Sequence, residues 1–239
     1  MKTVYQDILQ AKSERKKLLA ILLDPDKIKW DELLVLFKKI ESSNATHIFV
    51  GGSTVEKHLT DKLVEALKSH ISHLPVVLFP GDFTQITDKA DAILFLSLLS
   101  GRNPEYLIGQ HIKSVSVLEK TNLEIIPTSY ILVDGGKQTA VSRVSETKPI
   151  DQNDVELITN TAKAGEYLGH KLIYLEAGSG ANIPVSEKII NNVTKNLSIP
   201  LIVGGGIRTQ KQMDLAYKNG ADLVVIGTAF EENLDFFEQ

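Results

Sequence analysis

The chain has 239 residues, a formal net charge of −4, 43% hydrophobic and 23% charged side chains, and no cysteine. The charge balance excludes the basic footprint of a nucleic-acid-binding domain, and the missing cysteines exclude disulfides, thiolate metal sites and a cysteine nucleophile. No apolar run approaches the roughly 18 residues of a membrane span, and the opening residues are too polar for a signal peptide, so the expectation is a cytoplasmic protein with no transmembrane segment, folded as one domain over residues 1–239.

Eight short apolar runs recur along the chain, at residues 18–23, 46–50, 75–79, 91–96, 123–132, 171–176, 200–203 and 222–226. Most are apolar at successive positions, the pattern of parallel strands buried on both faces. Between most of them, residues 29–42, 54–71, 104–119, 151–168, 185–195 and 210–219 carry apolar side chains at helical spacing. Asp151 and Thr209 are predicted N-caps, and Gly169 and Gly220 predicted helix stops. Strand alternating with helix predicts parallel βαβ units. Eight such strands favour a closed (β/α)8 barrel, the TIM-barrel class, over a doubly wound open sheet.

One unit breaks the rhythm. Residues 80–90, which include Pro80-Gly81-Asp82, are too few to complete a crossover helix with its connections and lack an amphipathic period. The third helix of the ring is therefore predicted to be missing or reduced, leaving an apolar groove beside the third and fourth strands. Residues 134–150 form a long polar loop after the longest strand, on the side where barrel active sites gather, and read as a candidate lid.

Three glycine-rich turns follow the last three strands: Glu176-Ala177-Gly178-Ser179-Gly180, Gly204-Gly205-Gly206-Ile207-Arg208 and Gly227-Thr228. Glycine lets backbone amides approach an anion closely, and Ser179 and Thr228 add hydroxyl donors. Any one such turn is explained by chain reversal alone, but three at the same end of a barrel point to a phosphate site. Asp24-Pro25-Asp26-Lys27 follows the first strand and Gly51-Gly52-Ser53-Thr54 the second. Asp24 with Ser53 could hold Mg²⁺, which takes few protein oxygens; equally, Asp24 could cap the turn after its strand, and spacing leaves both readings open. Glu176 ends an apolar strand, so it reads either as a partly desolvated general base or as an acceptor for loop amides. His47, His58, His70, His73, His111 and His170 have no metal-ligand spacing, and most of them are expected at the surface or at element ends.

The stretches Ile21-Leu22-Leu23-Asp24-Pro25-Asp26-Lys27, Val50-Gly51-Gly52-Ser53, Tyr174-Leu175-Glu176-Ala177-Gly178-Ser179-Gly180 and Val203-Gly204-Gly205-Gly206-Ile207-Arg208 together resemble the geranylgeranylglyceryl phosphate synthase family. Residues 97–109, Ile126-Pro127-Thr128-Ser129-Tyr130 and Asp134-Gly135-Gly136-Lys137 share the likeness, which spans residues 18–230 and is greatest to the archaeal-type group with bacterial members. The resemblance implies a prenyltransferase that joins sn-glycerol 1-phosphate to a long prenyl diphosphate, geranylgeranyl diphosphate being the expected donor, through an ether bond. It implies Mg²⁺ held by Asp24 and Ser53, glycerol phosphate held by Tyr174, Leu175, Glu176, Ala177, Gly178, Ser179, Gly180, Gly205, Gly206, Gly227 and Thr228, and Glu176 as base. It also implies a homo-oligomer, with transient membrane contact for product release. The predicted groove, running past Phe79, Phe95 and Tyr106, suits a prenyl tail. The chain has no DDxxD motif, which sets it apart from chain-elongating prenyl synthases. Two other functions fit a phosphate-binding barrel. A sugar-phosphate isomerase or lyase would need neither groove nor Mg²⁺, and a non-catalytic prenyl-phosphate binder would not need Asp24, Ser53 and Glu176 together.

Overall fold

The computed structural model describes residues 3–56 and 58–238. Eight parallel strands close on themselves in sequence order, which excludes the open sheet. In chain order the elements are α1 (Val4–Ser13), β1 (Leu18–Leu23), α2 (Leu33–Ser42), β2 (His47–Val50), α3 (Leu59–His70), β3 (Val76–Leu78), β4 (Ala92–Leu98), α4 (Gln110–Leu118), β5 (Glu124–Leu132), α5 (Ala140–Val144), α6 (Val155–Tyr167), β6 (Leu172–Glu176), α7 (Glu187–Asn196), β7 (Leu201–Gly204), α8 (Gln210–Lys218), β8 (Leu223–Ile226) and α9 (Thr228–Glu232).

The successive apolar positions of each strand serve two cores. Leu19, Ile21 and Leu23 of β1 point outward and pack with Phe37, Ile40, Leu63 and Val64 of the surrounding helices. Leu18 and Ala20 point into the barrel with Phe49, Leu94, Ile126, Tyr174 and Val225. A strand buried on both faces has no polar side to show, which is why period-two alternation is missing from the sequence.

Four local expectations are corrected. The helix expected over residues 29–42 begins with a 3-10 turn, Trp30–Glu32, and becomes α-helical only at Leu33. The one expected over residues 54–71 is regular only from Leu59 to His70, and Lys57 lies outside the described residues. Asp151 does not cap α6: its carboxylate accepts the Asn153 amide at 2.8 Å, while Asp154 accepts from Leu157 N and is the cap. The polar loop over residues 134–150 contains α5, begun by a reciprocal cap between Thr139 and Ser142, and it buries Thr139, Ser142, Ser145 and Thr147. Thr209 does cap α8, and Gly169 and Gly220 follow α6 and α8 with positive φ.

The sequence patterning assigns no helix before β1, yet α1 closes the N-terminal end of the barrel. Val4, Ile8 and Ala11 press against Leu18, Ala20 and Phe49, and Thr3 with Gln6 forms a capping box at its start. With one end plugged, ligands have access to the barrel at the C-terminal ends of the strands.

Between β3 and β4 the ring has no helix among the described residues. A single 3-10 turn, Phe83–Gln85, takes its place, started by Asp82, which accepts the Thr84 amide at 2.7 Å. The predicted gap in the ring is present.

Candidate active site

The first wall of the site comes from the turns after β1 and β2, with Glu231 of α9 behind them. Asp24 stands one residue beyond β1. Its Oδ1 accepts the Asp26 amide at 3.2 Å, so it does cap the turn Pro25–Lys27, while its Oδ2 pairs with Lys27 Nζ at 3.3 Å. The carboxylate lies against Gly52: a Cβ on that glycine would stand 2.8 Å from Asp24 Oδ1. Ser53 follows on the same cleft wall. Glu231 from α9 braces the arrangement, accepting the Asp24 amide and Lys27 Nζ, each at 3.2 Å; its burial raises its pKa despite the lysine beside it.

This donor set fits a hard divalent cation. One carboxylate and one hydroxyl flank a turn with no side chain at Gly52, and among the described residues no three His, Asp or Glu side chains converge as metal ligands. A cation here would draw its remaining oxygens from water and an anionic ligand, the pattern of Mg²⁺ sites.

The opposite wall is built by the turns after β6, β7 and β8. The backbone amides of Ser179 and Gly180 have no backbone acceptor among the described residues, and Ser179 Oγ meets Thr228 Oγ1 at 3.0 Å across the cleft end. Gly205 has φ +79°, and any Cβ there would collide with Glu176 Oε1 and stand 2.8 Å from Ala177 N, so only glycine allows the two turns to nest. Gly206, Gly227 and Tyr174 line the same cleft. Leu175 and Ala177 are buried toward the helices, so their side chains face away from it and only their backbone lies near the site.

Glu176 sits at the bottom of this wall. It is buried, and removal from water pushes its carboxyl up to about 7, against the pull of the Gly178 amide donating to Oε1 at 2.7 Å. The Tyr174 hydroxyl lies close enough to favour the charged carboxylate but falls short of hydrogen-bond geometry and has no partner. A carboxyl poised near neutral pH and facing a cleft is a good general base. The loop-amide role anticipated for Glu176 is also real, and uses one oxygen.

Where the helix is missing, an apolar groove opens, with about 810 Å³ of empty volume including open solvent. Phe79, Ile86, Phe95, Leu96, Tyr106 and His111 line it, and it shares Gly52, Ser53, Phe79, Tyr130 and Val141 with the polar cleft. Phe79, Tyr130 and Tyr174 pack with centroids 5.3–5.8 Å apart and make an aromatic floor at the junction. The two cavities are therefore continuous, one polar and one apolar, with Asp24 and Ser53 close to where they meet.

The structure thus brings Asp24, Ser53, Tyr174, Glu176, Ser179, Gly180, Gly205, Gly206, Gly227 and Thr228 around one cleft. Sequence reasoning missed Glu231, Lys27 as its partner, and Gln85, a buried side chain that grips Gly52 through its carbonyl at 2.9 Å and its amide at 3.4 Å. Two of the histidines at element ends are buried. His47 is buried, its pKa pushed down to about 4 by loss of water, and His111 is buried on the barrel-facing side of α4, with its ring 4.2 Å from that of Phe95.

Residues 10–238 match the PcrB family. The chain belongs to the PcrB family. Among relatives, the geranylgeranylglyceryl phosphate synthase of Flavobacterium johnsoniae is 57% identical over 99% of this chain and 97% of its own. That of Thermococcus kodakarensis is 42% identical over 94% and 88%. The crystal structure of (S)-3-O-geranylgeranylglyceryl phosphate synthase from Thermoplasma acidophilum in complex with substrate sn-glycerol-1-phosphate superposes with a TM-score of 0.93 at 34% identity, covering all of this chain and 95% of that one. The PcrB likeness therefore includes the whole barrel, with both cavity walls inside the matched span.

Proposed function

We propose that this PcrB-family chain is a geranylgeranylglyceryl phosphate synthase, a prenyltransferase that forms an ether bond between sn-glycerol 1-phosphate and geranylgeranyl diphosphate and releases diphosphate. The observation that carries the reading is the continuity of a phosphate-type cleft with an apolar groove at the gap in the helical ring. A sugar-phosphate isomerase or lyase has no use for the groove, and a pure binder has no use for a carboxyl poised near neutral pH.

The glycine turns hold the glycerol phosphate and the groove holds the prenyl tail, so the free hydroxyl and the allylic carbon meet over the aromatic floor. Glu176 takes the hydroxyl proton as the oxygen attacks the allylic carbon, whose bond to the diphosphate oxygen breaks. Mg²⁺, when bound, supplies neutralisation of the departing diphosphate. Asp24 and Ser53 are the residues that would hold it, and Lys27, paired with Asp24 and Glu231, holds the Asp24 carboxylate in place at this wall.

Incubation with Mg²⁺, sn-glycerol 1-phosphate and C10, C15, C20 and C35 diphosphates, with product masses read, tests the function. Each buried CH₂ contributes about 0.8 kcal/mol, so prenyl affinity should rise with length until the groove ends; a flat series would leave only diphosphate recognition. Asp24→Asn should depress Mg²⁺-dependent turnover by about 100-fold or more while leaving the thermal transition in place. Full activity at low Mg²⁺ would remove Asp24 from the metal site.

Among the described residues no helix is long and apolar enough to cross a membrane, so a lipid product would be handed over by transient contact with a bilayer. The exposed Ile108, Ile112, Val115 and Ile125 around α4 support a homo-oligomer. Light scattering on wild type and Ile112→Glu checks this, the variant being expected to dissociate.

A further inference from the structure

We infer that Lys137 is a phosphate ligand of the glycerol phosphate site, an assignment that rests on the function proposed above. The lysine lies between β5 and α5, in a stretch laid across the turn after β6. The Gly135 carbonyl accepts the amides of Asn182 at 2.9 Å and Ile183 at 3.2 Å, and the Gly136 carbonyl accepts Asn182 Nδ2 at 3.2 Å. On the other side Thr139 covers Gly178 so closely that a Cβ on this glycine would strike the threonine methyl. The backbone on both sides of Lys137 is therefore seated on the turn.

From this position the side chain reaches Gly180. A Cβ built on Gly180 would stand 3.1 Å from Lys137 Nζ and 3.7 Å from Cε. The ammonium thus lies at the turn whose Ser179 and Gly180 amides have no backbone acceptor among the described residues and whose Ser179 hydroxyl meets Thr228. Gly180 has φ +65°, and the absence of a side chain there keeps the approach open for the lysine.

The other cations around the cleft are neutralised by carboxylates. Lys27 pairs with Asp24 and Glu231, and Arg208 pairs with Glu232 at 2.8 Å. Lys137 has no carboxylate at ion-pair distance among the described residues. An exposed ammonium that lies at an amide-rich turn without an acidic partner has its complement in the bound anion, and charge-assisted contacts of this kind are about twice as strong as neutral hydrogen bonds. The Asp24 wall lies across the cleft, so the anion served is the phosphate of the acceptor rather than the diphosphate of the donor.

The test is calorimetric titration of wild type, Lys137→Ala and Lys137→Arg with sn-glycerol 1-phosphate and with inorganic phosphate at low and high salt, and with geranylgeranyl diphosphate plus Mg²⁺ in the absence of acceptor. Lys137→Ala is expected to bind glycerol phosphate and phosphate about tenfold more weakly, with a shallower salt dependence. It should bind the diphosphate like wild type, and raise the KM for glycerol phosphate more than it lowers kcat. Lys137→Arg should recover most of the loss. Unchanged glycerol phosphate affinity in Lys137→Ala overturns the assignment, as does an equal loss for both substrates, which would indicate a disturbed cleft. Wild-type protein that binds neither glycerol phosphate nor phosphate overturns the proposed function itself, and is distinguished from the first two results by the wild-type titration alone.

Discussion

At the scale of single residues, the site depends on what is withheld from water. Glu176 is held up to about 7 by burial, so it is protonated in acid and charged in mild base. Its sign as a base is therefore that kcat/KM should rise through an apparent pKa near 7. Glu176→Gln should remove that limb and lower kcat/KM by about 100-fold or more, in the range of lost general-base catalysis; an unaltered pH profile in the variant would discard Glu176 as the base. The same burial has a thermodynamic cost. An unfolded carboxyl ionises near 4.3, so below that pH both states are protonated and nothing is lost, between there and about 7 the folded state loses stability, and above about 7 the deficit is constant. Glu176→Gln should gain stability over wild type across that window in denaturant titrations. Gly205→Val should bind glycerol phosphate roughly tenfold or more weakly, since a side chain there collides with Glu176 and the Gly178 amide and pushes the phosphate turns apart, while prenyl diphosphate binding changes little. Equal loss of both would place the defect in the fold. Asp24, Glu176 and the glycines were legible because each is the first polar or flexible position after an apolar run or lies in the short turn that begins there. Glu231 was not, because its partner Lys27 is 204 positions away and no local pattern records such a pairing.

At the scale of elements, short runs of successive apolar positions located every strand of the barrel, since burial on both faces leaves a signal that needs no partner to interpret. Helix starts were less legible. Asp151 and Asp154 are both good N-cap types, and only the backbone decides which of them faces the first free amide. The helix α1 carries its own signals, the Thr3–Gln6 box and the Val4, Ile8, Ala11 stripe, but these lie in a polar stretch with little average hydrophobicity. The shortened connection between β3 and β4 was read from its few residues, its Pro80-Gly81-Asp82 stretch and its missing amphipathic period together. The groove that results has walls open to redesign. Ile86→Trp, on the 3-10 side of the groove, should shift the preferred donor toward shorter chains and leave glycerol phosphate affinity unaltered, as read by product masses from a mixed C10 to C35 pool. Unchanged product distribution would place the tail elsewhere.

At the scale of the whole molecule, closure of the barrel means that no strand has a free edge, yet the seams between strands are unequal. β4 and β5 pair over seven residues, from Ala92 with Glu124 to Leu98 with Tyr130, whereas β3 and β4 pair over two, Val77 with Ala92 and Leu78 with Ile93. The short seam is also the one that no crossover helix covers. Local opening follows the least protected hydrogen bonds, so deuterium should enter the amides of β3 and the 3-10 turn before those of β5 or β6. An apolar molecule lying in the groove touches Phe79 and Ile86 on one side and Phe95 and Leu96 on the other, and so acts as a clasp across this seam. Uptake there should slow on adding a prenyl diphosphate and stay as it was on adding glycerol phosphate. The barrel would then hold its shape at this point partly through the lipid it carries, and the breathing rate of one pair of strands becomes a direct reporter of donor occupancy.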